Sequence, residues 1–191
     1  MVENTYKDRQ GFEMGNWPEL RTKLDELSSL VLGDGQIAKQ LKVEMFTLAS
    51  LSAGCRHCQS HGAYILNKIG VDVVRIKAIW GYEDSDLFTQ AERAALDIAR
   101  LAGLSPNMTE PENFDELRKH YSDRQIIEIV AVISLSGWLN RWNDTIATVT
   151  DQEAVDFATE HLTDVGWNIG KHVGAAEEQR KTNPAARIQR S

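Results

Sequence analysis

The sequence predicts an all-α fold, on three observations. Apolar residues recur at helical spacing along most of the chain, two capping-box signatures open two of those runs, and no stretch alternates apolar and polar as a half-buried strand does. The longest run, IIEIVAVISLSGWLNRWNDTIATV, is apolar nearly all round at its start and predicts a central buried helix. Charges in its second half exclude a membrane span.

The elements follow in order. Pro18 suits a first helical turn, and Leu20, Leu24, Leu27 and Val31 follow at helical spacing. A second helix is predicted over 37–53, with Ile37, Leu41, Met45 and Leu48 on one stripe, ending at Gly54. A third runs over 55–69, with Cys58, Ile65 and Ile69 roughly aligned, and a short piece over 72–80 follows Gly70. Thr89 with Glu92 forms a capping box, because hydroxyl and carboxylate satisfy each other's free amides; it opens a helix to about residue 102. A further helix is predicted over 111–120. Ser122 with Gln125 is the second capping box and opens the long apolar helix. Segments 151–161 and 165–172 are weaker helical candidates.

The chain has 191 residues, enough for a single domain with its own core, here about 20–175, followed by a charged tail at 176–191. A net charge of −7 disfavours nucleic acid, whose phosphates would be repelled. No apolar run approaches the length of a membrane span, and MVENTYKDRQ lacks the apolar region of a signal peptide, so a cytoplasmic location is expected, with no membrane partner.

Both cysteines lie in GCRHCQSH, residues 54–61, with two of the five histidines. Two cysteines placed at random would fall three apart roughly one time in a hundred, so the spacing carries information. In a first helical turn positions i and i+3 share a face, so both sulfurs can meet, and the free amides at a helix start favour a thiolate. His61 follows Cys58 by three and shares that side, where it can take the Cys58 proton; His57 points elsewhere and can add a nearby charge or a link to solvent. Glu44, between Val43 and Met45 on the preceding helix, is the carboxylate expected to orient His61. A redox dithiol is the favoured reading of this set. Two others stay open: a pair of small buried side chains, and a zinc clip of Cys55, Cys58 and His61 with His57 or Glu44 as fourth ligand. Structural zinc usually draws on two separated pairs, and no second Cys/His pair exists, so no metal is expected. No flavin, haem or nicotinamide fingerprint occurs, so no cofactor is expected either.

At these residues the chain resembles the AhpD-like alkylhydroperoxidase and carboxymuconolactone decarboxylase superfamily. The resemblance starts at Glu44 and AGCRHCQSHGAYIL (53–66), and continues through SDLFTQAERAALDIARLAG (85–103) and YSDRQIIEIVAVISLSGWLNRWNDTIAT (121–148) into GWNIGKH (166–172). It implies an all-helical AhpD-like domain with the CxxC at a helix start, assembled as a homo-oligomer, a trimer or hexamer. It also implies a thiol-dependent hydroperoxidase: Cys58 attacks the hydroperoxide, Cys55 resolves it as a disulfide, and His61 and Glu44 relay protons. An external dithiol then reduces the bridge. A disulfide reductase serving another peroxidase, or a non-catalytic oligomeric dithiol sensor or metal-binding module, are the alternatives. Two spacings depart from the family pattern: two residues, Gln59 and Ser60, separate Cys58 from His61 where three are usual, and Glu44 stands one residue closer to Cys55.

The segment WLNRWND, 138–144, places polar groups in an apolar helix, with Asn140 and Asp144 one turn apart. It reads as a buried polar network at a subunit contact, or an Arg141–carboxylate pair holding helices, ahead of a pocket wall. Trp138 and Trp142 read as core or interface, and His120, His161 and His172 as cations near helix C-termini.

Overall fold

Helix α2 is the element the others surround. A computed structural model describes residues 15–174; the predicted tail at 176–191 lies outside them. The α-helices are α1 (Pro18–Leu32), α2 (Lys39–Ala53), α3 (Arg56–Lys68), α4 (Val73–Ala78), α5 (Gln90–Gly103), α6 (Pro111–Arg118), α7 (Asp123–Ile146) and α8 (Gln152–His161). Short 3₁₀ turns cover Ile79–Asp84 and Thr163–Val165. No strand forms among the described residues, so the fold is all-α, as the sequence predicts. None of their helices is long and apolar enough to cross a membrane.

The local signals behave as their chemistry requires. Pro18 opens α1 without needing a backbone partner for its missing N–H. Thr89 and Glu92 cap α5 reciprocally, the Thr89 amide donating to Glu92 Oε2 at 2.8 Å and the Glu92 amide to Thr89 Oγ1 at 3.2 Å. Ser122 and Gln125 do the same for α7.

Two expectations are corrected. The helix enclosed on nearly every side is α2, packed against α3, α5 and α7, whereas α7 buries only one stripe and leaves Ile127 64% exposed. Apolarity concealed the difference because α2 carries Lys42, Glu44, Thr47 and Ser50 into the interior. Thr47 and Ser50 hide their hydroxyls on the carbonyls of Val43 and Phe46, each at 2.8 Å. The second correction is segment 165–172, which forms no helix; a positive φ at Gly166 and again at Gly170 turns the chain across the end of α3.

The two charges of α2 are each matched. Lys42 pairs with Glu128 of α7 and donates to the carbonyls of Val31 at 3.0 Å and Gly33 at 2.8 Å. Glu44 is fully buried, and Arg75 of α4 grips it from Nε at 2.7 Å and Nη2 at 3.0 Å while also reaching Glu92 of α5 at 2.7 Å. One guanidinium thus ties three helices, with its face over the Phe88 ring at 4.4 Å.

Removing Arg75 strands a carboxylate in the interior, so Arg75→Met is expected to lower the free energy of unfolding by about 3–5 kcal/mol in urea titrations. Adding Glu44→Gln to that variant removes the stranded charge and is expected to recover part of the loss. An additive double variant would show that the pair does not hold the helices.

Candidate dithiol site

The site begins where α2 ends. Gly54 takes a left-handed conformation (φ 79°), and the chain closes a Schellman turn: its amide donates to the Leu51 carbonyl and the Cys55 amide to the Ser50 carbonyl, both at 3.1 Å. That reversal makes Cys55 the N-cap of α3, where its sulfur accepts the Cys58 amide at 3.3 Å. A thiol thus occupies the place usually held by Ser or Asp.

The second sulfur is one turn along. Both cysteines are free, and Cys55 Sγ lies 2.7 Å from Cys58 Sγ. The Cys58 thiol, with the helix amide, holds Cys55 below the usual thiol range against the opposing effect of burial. Burial, above all, pushes the Cys58 thiol well up, and its neighbour adds to that. A single proton held between two sulfurs accounts for both directions.

Access separates the two. Cys58 lines a cavity of about 590 Å³, together with the apolar Leu32, Val43, Phe46, Ile65 and Leu139 and the polar Ser28, Ser29 and Lys39, while Cys55 sits behind it, fully buried. At the cavity wall α2 and α3 approach closely at Gly62, where a Cβ would stand 2.2 Å from Thr47 Oγ1.

The predicted histidines gather at this cavity. His57 and His61 both line it, with ring centroids 4.3 Å apart. His61 Nε2 lies 2.9 Å from Asp151 Oδ2 at the start of α8. A carboxylate only accepts, so Nε2 carries the proton and Nδ1 keeps its lone pair. Burial lowers the His61 pKa, partly opposed by Asp151.

His57 is not the solvent link expected of it. It is buried, its Nδ1 is 3.1 Å from Thr150 Oγ1, and burial, with the His61 and His172 rings, drives its pKa to about 2. It is a neutral wall of the cavity. Glu44 is not the orienting carboxylate either: its oxygens are taken by Arg75 and by Gln40 at 2.9 Å, and Asp151 holds His61 instead.

Three groups on the far side were not attached to the thiols by sequence reasoning. Asn143 Nδ2 lies 3.5 Å from Cys58 Sγ, and Thr148 Oγ1 donates to Asn143 Oδ1 at 2.8 Å. His172 is 1% exposed and donates from Nδ1 to the Thr148 carbonyl at 2.8 Å, so it closes this network rather than capping a helix. Asn140 and Asn143 share the buried stripe of α7, a periodicity visible in WLNRWND; Asp151 and His172 arrive from distant sequence with no local signal. Asp144 pairs with Lys171 at 2.9 Å, and Trp138 stacks on Trp142 with centroids 5.2 Å apart. The zinc set does not converge: among the described residues no three His, Cys, Asp or Glu side chains could hold a metal ion.

Comparison with known proteins agrees with this architecture. The chain is similar to the debrominase Bmp8, at 33% identity over 77% of this chain and 79% of that one, with a TM-score of 0.74. A Cys→Ala form of the same enzyme in complex with 2,3,4-tribromopyrrole matches as well. A peroxidase-related protein with an alkylhydroperoxidase AhpD core, from Ralstonia eutropha, shares the fold at TM-score 0.66 and 21% identity, over 74% of this chain and 76% of that one. The uncharacterized protein YdfG of Bacillus subtilis is 26% identical over 91 residues, 47% of this chain; the chain spans 60% of that relative's length. No model of a known protein family matches the chain.

The buried histidines set an acid limit. An unfolded His takes up a proton near pH 6.5, whereas folded His57 does so only near pH 2, and His61 and His172 are shifted the same way. The unfolded chain therefore binds more protons between those values, and stability is expected to fall as pH drops below about 6.5. Urea midpoints measured from pH 7.5 to 4.5 check this; His57→Gln is expected to flatten the slope, and an unchanged slope would contradict the assignment.

Proposed function

We propose that the chain, which shares its fold with a protein built on an alkylhydroperoxidase AhpD core, is a member of the AhpD-like alkylhydroperoxidase and carboxymuconolactone decarboxylase superfamily, and that it is a dithiol oxidoreductase that reduces organic hydroperoxides through Cys55 and Cys58. The observation that carries the proposal is a pair of free sulfurs 2.7 Å apart, with Cys58 in the wall of an apolar cavity of about 590 Å³. Hydrogen peroxide needs far less room. A cavity of that size, walled by Leu32, Val43, Phe46, Ile65 and Leu139 with Ser28, Ser29 and Lys39 among them, suits an organic body of mainly apolar surface with its reactive end at Cys58.

The chemistry balances without a resident cofactor. The proton between the sulfurs passes to Cys55, and the Cys58 thiolate attacks the distal peroxide oxygen. The O–O bond breaks, Cys58 becomes a sulfenic acid, and the leaving alkoxide takes the Cys55 proton to depart as an alcohol. The Cys55 thiolate attacks Cys58 Sγ, forming the disulfide and displacing hydroxide, which takes one proton from solvent and leaves as water. His61, with Nδ1 free and Nε2 held by Asp151, serves as local proton store. An external dithiol restores both thiols by exchange. Association of copies belongs to the same proposal. It is supported by an apolar groove between α1 and α7 that Leu27 and Trp138 line, beside Leu30, which is 76% exposed.

The likeness to a debrominase favours a second reading, reductive removal of halogen from an apolar aromatic. The electron count is the same: Cys58 takes the halogen, carbon gains a proton, and Cys55 displaces halide as the disulfide forms. Stopped-flow oxidation of the reduced protein by cumene hydroperoxide, and halide release from a brominated pyrrole, distinguish the two. On the first reading the hydroperoxide oxidises the dithiol at least a hundredfold faster than a free thiol does. Cys58→Ser is expected to abolish that reaction and Cys55→Ser to accumulate a dimedone-reactive sulfenic acid. Halide release without peroxide reactivity would replace the first reading by the second. Reduction of a protein disulfide as the sole activity would replace both by an electron adaptor.

A further inference from the structure

We propose that Asn143 is a catalytic hydrogen-bond donor to the Cys58 sulfur, and that Thr148 is the positioning residue that holds its amide in the donating orientation. The inference rests on the dithiol reading but not on which electrophile the thiols reduce.

Cys58 needs such a group. It must carry negative charge to react, yet it is 2% exposed and among the described residues no cation touches its sulfur. Two charged groups are near: Asp144 of α7 opposes ionisation, and Lys171 is paired with it. His57 and His61 of α3 are neutral, and Asp151 at the start of α8 is paired with His61. His172 is neutral and engaged with the Thr148 carbonyl, Lys39 of α2 lies elsewhere along the cavity wall, and Cys55 competes for the same negative charge. The side-chain donor left at Cys58, apart from its partner thiol, is the Asn143 amide, 3.5 Å away.

A side-chain amide can present either face, so its donor face must be fixed. Asn143 is 3% exposed, and its Oδ1 is occupied by the Thr148 hydroxyl at 2.8 Å, which leaves Nδ2 toward the sulfur. Thr148 is itself fixed. Ala147 takes a left-handed conformation (φ 52°) that turns the chain back, and the Thr148 amide donates to the Asn143 carbonyl at 3.0 Å. His172 anchors the Thr148 carbonyl from the other side. An Ala in the left-handed region is strained, and its presence fits a turn whose shape matters. A donor at this distance strengthens as the sulfur ionises, so it favours the reactive thiolate over the resting thiol.

The test reads the sulfur, not turnover. Trypsin cuts after Arg56, which puts Cys55 and Cys58 on different peptides, so iodoacetamide labelling of the reduced full chain can be followed at each cysteine against pH by mass spectrometry. Asn143→Leu is expected to raise the midpoint of Cys58 labelling by about one pH unit, the effect of one hydrogen bond to a charged group. Thr148→Val, of nearly unchanged shape, is expected to move it part of the way, and Thr148→Ser to restore the original value. A Cys58 midpoint unmoved in folded Asn143→Leu overturns the proposal; should that variant not fold, an unmoved midpoint in Thr148→Val does so. A chain that reduces neither a hydroperoxide nor an organic halide yet shows the shift keeps the donor role and loses the proposed function.

Discussion

Everything at the dithiol depends on one backbone reversal. Gly54 in the left-handed region ends α2, and the bond from the Cys55 amide to the Ser50 carbonyl fixes the exit of the chain, so the next residue caps α3. Any L-residue at that φ carries a conformational penalty, which explains a glycine before the motif. The consequence is chemical. A sulfur placed at an N-cap meets free amides, and a second sulfur one turn later is held against it. Secondary structure alone thus brings the thiols together, without help from distant segments.

What distant segments supply is selectivity between the sulfurs. Cys55 is stabilised as an anion but lies behind its partner; Cys58 lies at the cavity but is penalised by burial. The 2.7 Å contact lets the proton pass from the sulfur at the cavity to the one behind it, so the site need not ionise Cys58 permanently. This economy is consistent with a reactive thiol that stays protected until a substrate fills the apolar space in front of it.

The ionic interior of α2 does different work. Glu44 lies next to Val43, which lines the cavity, yet it is committed to Arg75 and through it to α4 and α5. Lys42 similarly ties α2 to α7 and to the carbonyls at the end of α1. A helix surrounded on most sides has few rotational cues from apolar packing, and two oppositely charged anchors fix its rotation and register. The cavity wall is therefore rigid for reasons separate from thiol chemistry, and the carboxylate at His61 comes from a loop instead.

The sequence by itself determined the helical class, nearly all the helices, both capping boxes and the position of the dithiol at a helix start. Each of these is set by interactions within a few residues: hydroxyl to amide, glycine to φ, i to i+3. It put His61 one turn beyond Cys58 for the same reason, and both line one cavity. It did not decide which helix is central, because polar side chains that find buried partners look like surface residues until those partners are known. Nor did it place Asp151 on His61, Arg75 on Glu44, or Asn143 and His172 beside the thiols. Those contacts join segments tens of residues apart, and only tertiary packing, of α4 beside α2 and of α7, α8 and the chain beyond them onto α3, brings them within hydrogen-bond reach.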